Sequence, residues 1–318
     1  MALVYTRGCF IRRTHETFKR CNQYLTFYSL AHSMSRLSST SKALSTTPTR
    51  ASMATSYNND DDTAGVPQAP GAEHAELLSF LQFFETLFII DDSSHMKRQW
   101  SDVSALVQAV APTCLKYDEN GIDIYFVNHR PPFYFPGMSL RKSGYNHIGK
   151  VHSDTGKRDS AQAIFRGVKA GGKCKLGARL RKILSWYLEQ LRADPQRPPL
   201  NVIVITAGIC DDDFAAPLLD AAKELDAMGA VPHQLGVMLF QLGDDEEARA
   251  KFEHADDEMW KKAGTRDIVD TVAWRGWPAS FGADDMAKAV LGAVSKKMDG
   301  AKPALVGKVP PERRETTI

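Results

Sequence analysis

The strongest constraint on the fold is an alternation of two apolar patterns along the middle of the chain. Five short runs rich in branched and aromatic side chains are predicted strands, at residues 86–90, 122–127, 201–206, 233–242 and 266–272. Between them, apolar residues recur at the three- and four-residue spacing of helices with one buried face. Strands that alternate with helices form parallel sheets covered on both sides. The sequence therefore predicts an α/β fold with a doubly wound, mainly parallel central sheet flanked by helices on both faces.

Three of the helical patterns are clear enough to place. One apolar stripe begins at Trp100, a stronger one covers residues 176–194 before Pro195, and a last one includes Met286, Ala289, Val290, Ala293 and Val294. Each stripe is interpreted as core packing, because an apolar helical face is most simply explained by burial against the sheet.

The chain divides by composition into four segments. Residues 76–299 carry the periodic patterns and form the predicted domain, whereas residues 60–75 and 300–318 are interpreted as a linker and a disordered tail. Residues 1–59 contain eight Lys or Arg and one acid. This composition resembles a mitochondrial transit peptide, and it also fits a disordered tail or translation that begins at Met53. The expected location is intracellular: mitochondrial if the segment is a presequence, cytoplasmic otherwise.

Charge and cysteine usage narrow the classes of function. Beyond residue 59 the chain has 32 basic and 37 acidic residues, so the predicted domain is mildly acidic. Sequence-independent nucleic-acid binding needs a positive surface, and no nucleic-acid partner is expected. No run reaches the ~18 apolar residues of a membrane span, so none is predicted. The five cysteines lack CxxC spacing, which favours a reducing compartment over a disulfide framework.

The segment "FETLFIIDDSSHMKRQW", residues 84–100, places carboxylates and hydroxyls directly after a predicted strand. Ligands of parallel sheets bind at the carboxyl ends of the strands, where Asp91 and the loop after Thr206 are expected to lie. Carboxylate and hydroxyl oxygens are the ligands that Mg²⁺ prefers, so this edge is the candidate metal or binding site.

Seven segments in this order resemble a von Willebrand factor type A domain, and more narrowly the small intracellular proteins with this domain that occur in fungi. They are "LFIIDDSSHM", "DIYFVNHR", "GARLRKILSWYLEQL", "NVIVITAG", "AAKELDAMGA", "QLGVMLFQLGDDEEA" and "GTRDIVDTVAW". The similarity covers about residues 84–298. It implies a Rossmann-like sheet and, in most members, a Mg²⁺ or Mn²⁺ ion at an adhesion site where a protein partner supplies an acidic oxygen.

The resemblance implies five metal ligands, of which this chain keeps two. Asp91 and Ser93 match the first Asp and the first Ser of the family pattern, but His95 stands in place of the second Ser. Imidazole nitrogen is a poor ligand for Mg²⁺. The site is therefore expected to be degenerate and to bind no metal. If it is still competent, the expected ion is Mg²⁺ or Mn²⁺.

The other two positions are lost in later loops. The Thr of the family pattern falls on Lys173 or Cys174, and Ala207 stands where the second Asp is expected. We predict that Lys173 or Lys175 forms an ion pair with Asp91 and so takes the place of the metal. The neighbouring basic residues Lys169, Arg179, Arg181 and Lys182 are interpreted as part of a solvated helix face, with attraction of an acidic partner as the alternative.

Substitute ligands leave two metal-dependent alternatives open. His95 or Asp211 could complete a Mg²⁺ or Mn²⁺ site, although Asp211, Asp212 and Asp213 are interpreted as caps of a helix that begins near Phe214. His95, Cys174 and Cys210 are all predicted at the same edge, and nitrogen and thiolate ligands suit Zn²⁺ or Cu(I).

A nucleotide-binding alternative rests on "GVKAGGKC", residues 167–174. Gly167, Gly172 and Lys173 fit the phosphate-binding loop G-x-x-x-x-G-K-[ST], but Cys174 replaces the hydroxyl residue that binds Mg²⁺. That motif must follow a strand, whereas "DSAQAIFRGV" reads at least as well as a short helix. A glycine loop that enters a helix is therefore the favoured interpretation.

Nothing in the sequence indicates catalysis. There is no G-x-S-x-G nucleophile elbow, and the only base near Ser93 is His95, two residues away. Trp274 and Trp277, after the last predicted strand, are expected to pack the C-terminal helix onto the sheet or to form a binding patch. The sequence thus predicts an interaction module, not an enzyme, that binds a protein partner through the loops around residues 91–95, 171–175 and 207–213.

Overall fold

The computed structural model describes residues 78–118, 120–150, 161–274 and 288–294. By its contacts the chain splits into two units, residues 1–64 and 65–318, and every described residue belongs to the second. The predictions for the basic segment 1–59, the linker 60–75, the tail 300–318, Met286 and Trp277 lie outside the described residues.

Six strands form one sheet, and five of them match the predicted strands. The order across the sheet is β3-β2-β1-β4-β5-β6. All neighbours pair in parallel except β2 and β3, which are antiparallel. The bounds are β1 Glu85–Ile90, β2 Ile122–Phe126, β3 Tyr145–Ile148, β4 Leu200–Thr206, β5 Leu235–Leu242 and β6 Val269–Trp274. The α/β prediction is confirmed, and the four-residue strand β3 was missed because its side chains are mostly not buried.

Within the described residues, six α-helices with both ends described and four 3₁₀ turns lie between and beside the strands. The helices are α1 Trp100–Tyr117, α2 Ala161–Phe165, α3 Leu176–Ala193, α4 Ala215–Ala227, α5 Glu246–Asp257 and α6 Met259–Ala263. The 3₁₀ turns are Ser79–Phe83, Ser94–Met96, Leu140–Ser143 and Gly292–Val294. Residues 288–291, within the last predicted helical stripe, are also helical.

The sheet buries both of its faces because successive strand residues point to opposite sides. In β1, Phe88 and Ile90 join a core with α1, α2 and residues 289–291, whereas Leu87 and Ile89 join a second core with α3, α4, α5 and α6. Trp274 ends β6 and is buried in the first core together with residues 289–291, as expected if it packs the C-terminal helix onto the sheet.

The central pair β1 and β4 marks the point where the chain reverses its direction across the sheet. From β1 the chain continues to β2 and β3 on one side, and from β4 it continues to β5 and β6 on the other. The loops after the two strands therefore diverge at their carboxyl ends, and such a switch point is where doubly wound sheets bind ligands. We call the side of the sheet where the parallel strands end the top edge. The side where they begin is called the lower edge.

Candidate functional site

Four loops meet at the top edge and are joined by hydrogen bonds. They are residues 91–95 after β1, 127–130 after β2, 171–175 before α3 and 207–213 after β4. The amide of Gly171 donates to the Asp92 carbonyl at 2.7 Å, and the amide of Ser94 donates to the Gly172 carbonyl at 2.9 Å. The side-chain amide of Asn128 donates to the carbonyls of Gly171 and Lys173. The loops are thus a connected framework in which a side chain has a fixed position.

Asp91 lies at the centre of this framework and is fully buried. Its Oδ1 accepts the amide hydrogen of Ser93 at 2.8 Å. Its Oδ2 accepts the hydroxyl hydrogen of Thr206 at 2.7 Å and the thiol hydrogen of Cys174 at 3.3 Å. Thr206 was not among the predicted site residues, although its place at the carboxyl end of β4 was a signal for it.

The ion pair predicted between Asp91 and Lys173 or Lys175 is wrong. In the described part of the chain neither lysine forms an ion pair with Asp91, and both side chains are exposed. Bringing a lysine ammonium into a fully buried site costs desolvation, whereas the Thr206 hydroxyl and the Cys174 thiol are already there as neutral donors. Asp91 is therefore held by hydrogen bonds and not by an ion pair with either lysine.

Cys174 connects the loop before α3 to the loop after β4. Its amide donates to Asp211 Oδ2 at 2.6 Å, and its carbonyl accepts the amide of Asp211 at 2.7 Å. Its Sγ lies 3.7 Å from Sγ of Cys210. The hydrogen bond with Cys210, burial and the nearby Asp91 carboxylate all raise the pKa of the Cys174 thiol, which favours the protonated form.

Asp92 anchors the loop after β2 and was also missed by the sequence analysis. Its two oxygens accept the amides of Asn128 and His129, both at 2.7 Å. Burial raises the pKa of this carboxyl, and the two amide donors oppose that rise. A second aspartate directly after a strand is easily read as a mere neighbour of the first, since its partners lie 36 and 37 positions away.

The three aspartates 211–213 do not act together as a cap of the following helix. Only Asp213 caps α4, through the amides of Ala215 and Ala216. Asp212 instead accepts the amides of Gly177 and Ala178 in the first turn of α3, at 2.9 and 2.8 Å. The capping prediction is thus correct for Asp213 and wrong for Asp211 and Asp212, because the carboxylates reach the neighbouring loop and helix.

The residues present do not complete a site for a hard divalent cation. Both oxygens of Asp91 already accept hydrogen bonds, and Ala207, which is buried, offers no side-chain oxygen. His95 is exposed in the turn Ser94–Met96. One feature points the other way: Ser93 Oγ is buried and has no hydrogen-bond partner within the described part of the chain.

The described residues supply only part of the ligand set that a soft metal, or a Mg²⁺ site with substitute ligands, would need. Cys174 and Cys210 lie together, but across residues 78–118, 120–150, 161–274 and 288–294 no three His, Cys, Asp or Glu side chains form a group that could hold a metal ion. Asp211 is committed through Oδ2 to the amide of Cys174.

The nucleotide-loop alternative lacks the structural context that its motif requires. A phosphate-binding loop follows a strand, but residues 161–165 before Gly167 form helix α2. The amides of Gly171 and Cys174, which would face a phosphate, already donate to Asp92 and Asp211. The interpretation as a glycine loop that enters a helix is consistent with both observations.

A second feature of the top edge is an exposed apolar loop, residues 129–139, which we call the aromatic loop. It joins β2 to the turn before β3, and these strands are antiparallel, so it begins and ends near this edge. Phe133 is 88% exposed and Phe135 is 62% exposed. Phe133 also has a φ of 67°, a conformation that is costly for a bulky residue. The segment "PPFYFPGM" was not among the predicted site residues, and its signal in the sequence is a group of aromatic residues between prolines.

The base of the aromatic loop is tightly held. One guanidinium nitrogen of Arg130 donates to the carbonyls of Phe126, Val127 and His129 at 2.7–3.1 Å. The ring of His129 stacks on Tyr145 and is hydrogen-bonded to its hydroxyl at 2.9 Å. The exposed tip therefore projects from a fixed base.

Arg179 is buried beneath this region, which corrects its assignment to a solvated helix face. Its guanidinium donates to Oγ and the carbonyl of Ser143, both at 2.9 Å, and lies over the ring of Tyr125 at 5.1 Å. Burial lowers the pKa of Arg179 to about 9. Its neighbours Arg181 and Lys182 are exposed, as predicted.

No family model and no curated protein matches the sequence. Among solved structures, the chain is similar to the pilus adhesin SpaC from Lactobacillus rhamnosus GG in its open conformation, with 14% sequence identity and a TM-score of 0.36. The match covers 68% of this chain and 30% of the adhesin, so the chain spans less than a third of that protein's length. Within the described residues, no helix is both long and apolar enough to cross a membrane.

Proposed function

We propose that this chain is a non-catalytic protein-interaction module of the von Willebrand type A kind, which binds a protein partner through its top edge without a metal ion. The observation that carries the proposal is the distribution of exposed apolar side chains. Among the described residues five large apolar side chains are exposed, and four of them lie at the top edge: Phe133, Phe135, Met138 and Ile209. Grouped exposed apolar side chains are a sign of a binding surface, whereas single ones are not.

The surroundings of these side chains favour a protein as the partner. Aromatic residues and methionine are enriched in protein interfaces, and such residues bind best when they are held in advance. Arg130 and the stacked His129 hold the base of the aromatic loop, and the hydrogen-bonded framework holds the loop that carries Ile209. Exposed Lys173 and Lys175 border the same edge and complement a partner with carboxylates near its apolar contacts.

The hydrogen bonds of Asp91 support a binding mode that does not need a metal. In the metal-dependent mode a carboxylate and hydroxyls hold the cation and the partner adds an oxygen. Here Thr206 and Cys174 occupy Asp91 Oδ2, and Ala207 adds no ligand. The apolar side chains therefore have to supply most of the binding energy in place of a shared cation.

The test is capture of partners by the full chain and by a Phe133→Ser, Phe135→Ser double variant. We expect the double variant to lose the proteins that the wild type retains. A captured protein is then purified, and its affinity for each chain is measured. It should bind the wild-type chain at least ten-fold more tightly than the double variant, because two aromatic contacts are each worth about 1–2 kcal/mol or more. The matched control is Val231→Ser, since Val231 is 46% exposed but lies between α4 and β5 at the lower edge.

Two outcomes would contradict the proposal. Equal binding by the wild type and the double variant would place the interface elsewhere. Loss of binding in Val231→Ser to the same extent would indicate non-specific adhesion of apolar surface.

A metal-dependent form of the same function is the second candidate, and the unpartnered Ser93 Oγ favours it. Titration of the full chain with Mg²⁺ and Mn²⁺ by calorimetry distinguishes the two. Our proposal expects no binding of either ion with a dissociation constant below ~100 µM. Good oxygen sites have dissociation constants smaller than this. Tighter binding that Ser93→Ala removes, together with partner capture that a chelator abolishes, would establish the metal-dependent candidate instead.

A further inference from the structure

The thiols of Cys174 and Cys210 form a pair that neither the interaction surface nor a metal site accounts for. Their Sγ atoms are 3.7 Å apart, although the residues are 36 positions apart in the sequence. The two residues lie on different loops, one before α3 and the other after β4. We propose that these two cysteines are a site of reversible oxidation, at which a hydroperoxide converts them to a disulfide.

The backbone around the pair is already arranged for a cross-link. Cys174 exchanges two hydrogen bonds with Asp211, the residue next to Cys210, through its amide at 2.6 Å and its carbonyl at 2.7 Å. These bonds keep the two segments adjacent. A disulfide requires the sulfur atoms to approach to ~2.05 Å, so the remaining change is a movement of about 1.6 Å that side-chain rotation on two loops can provide.

The two thiols differ in their access to an oxidant. Cys174 is completely buried, whereas Cys210 is partly exposed. A hydroperoxide therefore reaches the sulfur of Cys210 first. Cys114 is also completely buried, but it lies in the other core, on helix α1. Cys114 is as buried as Cys174 but has no partly exposed thiol beside it among the described residues. Its reactivity toward the oxidant therefore serves as an internal control.

The reaction balances in two steps. The sulfur of Cys210 attacks one oxygen of the hydroperoxide, the O–O bond breaks, and the products are a sulfenic acid at Cys210 and an alcohol, or water when the oxidant is hydrogen peroxide. The sulfur of Cys174 then attacks the sulfenic sulfur. Its proton leaves with the hydroxyl group as water, and the two residues are joined by an S–S bond. A dithiol reductant reverses the product by thiol–disulfide exchange.

Oxidation would also change the surroundings of Asp91. In the reduced protein the Cys174 thiol donates to Asp91 Oδ2 at 3.3 Å. A disulfide sulfur carries no hydrogen, so Oδ2 would keep only the hydroxyl of Thr206 among these two donors. The same bond would join loops 171–175 and 207–213 covalently. The oxidation state would thereby set both the hydrogen bonding and the mobility of the top edge.

The experiment uses the full chain with Cys9→Ser and Cys21→Ser, so that three thiols remain. Hydrogen peroxide is added in modest excess at neutral pH to folded protein, whose circular dichroism is recorded before and after. We expect the free thiols to fall from three to one, the intact mass to fall by about 2 Da, and digestion to release a peptide that links residues 174 and 210. Dithiothreitol should restore all three thiols, and the oxidised form should melt ~5 °C or more above the reduced form.

The control variants separate the pair from general oxidation. In the same background Cys114→Ser should form the same link and lose both of its remaining thiols. Cys210→Ser should keep both of its thiols at the peroxide dose that consumes the pair. Cys114→Ser keeps the test valid if Cys210→Ser does not fold.

Three results would overturn the inference. The first is a sulfinic acid at Cys210 while Cys174 stays free, and the second is a disulfide that includes Cys114. The third is the persistence of all three free thiols at a peroxide dose that oxidises an equimolar free dithiol. The reaction needs no partner protein, so these results do not depend on the binding proposed above.

Discussion

The two edges of the sheet hold their carboxylates in different ways. At the lower edge Arg197 pairs with Glu85 at 2.7 Å, and Arg141 lies 3.6 Å from Asp123. In the described part of the top edge, Asp91 accepts hydrogen bonds from three neutral donors: an amide, a hydroxyl and a thiol. The carboxylates at the lower edge are thus ion-paired, whereas the described donors to Asp91 at the top edge are uncharged.

Buried polar side chains are linked into a network at the lower edge, although not every polar atom described there has a partner. The hydroxyl of Tyr187 donates toward the carbonyls of Pro198 and Gln234 and accepts from the side-chain amide of Gln234 at 2.7 Å. In the described residues, buried atoms without a hydrogen-bond partner occur at both edges: Ser93 Oγ near Asp91, and Thr86 Oγ1, Arg197 Nε and Asn201 Oδ1 at the lower edge. Buried polar groups are normally paired, and exceptions occur at sites whose partner arrives from outside or whose strain is functional.

Thr206→Val is expected to have the largest effect on stability. Valine has nearly the shape of threonine, but it cannot donate to the buried carboxylate of Asp91 or accept from the amide of Gly208. We expect the free energy of unfolding to fall by about 2–3 kcal/mol, because hydrogen bonds to charged groups are the strong ones. Urea unfolding measures it, and Thr206→Ser, which keeps the hydroxyl, should lose less than half as much. An unchanged stability in Thr206→Val would mean that another group, including a lysine, neutralises Asp91.

Tyr187→Phe probes the lower edge and should cost less. The variant loses hydrogen bonds with Gln234 and the Pro198 carbonyl, but all of these groups are neutral. We expect a decrease in the free energy of unfolding of about 1–2 kcal/mol. The contrast between the edges fails if this loss, measured by the same urea unfolding, exceeds that of Thr206→Val.

Asp118 gives the lower edge a dependence on pH. Burial raises its pKa to about 6, and the nearby carboxylates of Glu85 and Asp123 add to the rise. Because the folded state holds this proton more tightly than the unfolded state, stability falls as the pH rises from about 4 to 6 and then levels off. Asp118→Asn stays neutral and keeps an oxygen for the amide of Asn120.

The expected result for Asp118→Asn is a gain of about 1 kcal/mol at pH 7 that vanishes below about pH 4. The measurement is the difference in the free energy of unfolding between variant and wild type at pH 4, 5, 6 and 7. A difference that is constant across this range would show that Asp118 has an ordinary pKa. Asp220→Asn, an exposed carboxylate paired with Arg181, is the control and should show little change.

Ser93→Ala should have the smallest effect, since Oγ of Ser93 has no partner to lose in the described structure. We expect the free energy of unfolding to change by less than about 0.5 kcal/mol, or to rise slightly, because a buried unpaired hydroxyl is unfavourable. Thermal unfolding with and without Mg²⁺ checks this. A loss above about 1.5 kcal/mol, present only with Mg²⁺, would reveal that the hydroxyl serves a bound ion.

Periodicity predicted most of the architecture because burial on both faces leaves a local trace in the sequence. Residues 201–206 and 86–90 read as continuous apolar runs, and both are central strands. Strand β3 escaped prediction, since it is an antiparallel edge strand of four residues with mixed burial. Asp91 could be located for a similar reason: the end of β1 is recognisable, and Asp91 follows it directly.

The sequence by itself determined the α/β class and the position of Asp91 directly after a buried strand. Only the tertiary structure decided what surrounds Asp91. Its partners Thr206 and Cys174 lie 115 and 83 positions away, and no local pattern encodes a contact over such distances. The sheet brings these side chains together, and burial then favours neutral donors over a lysine, because the desolvation of a second charge would outweigh its attraction to the first.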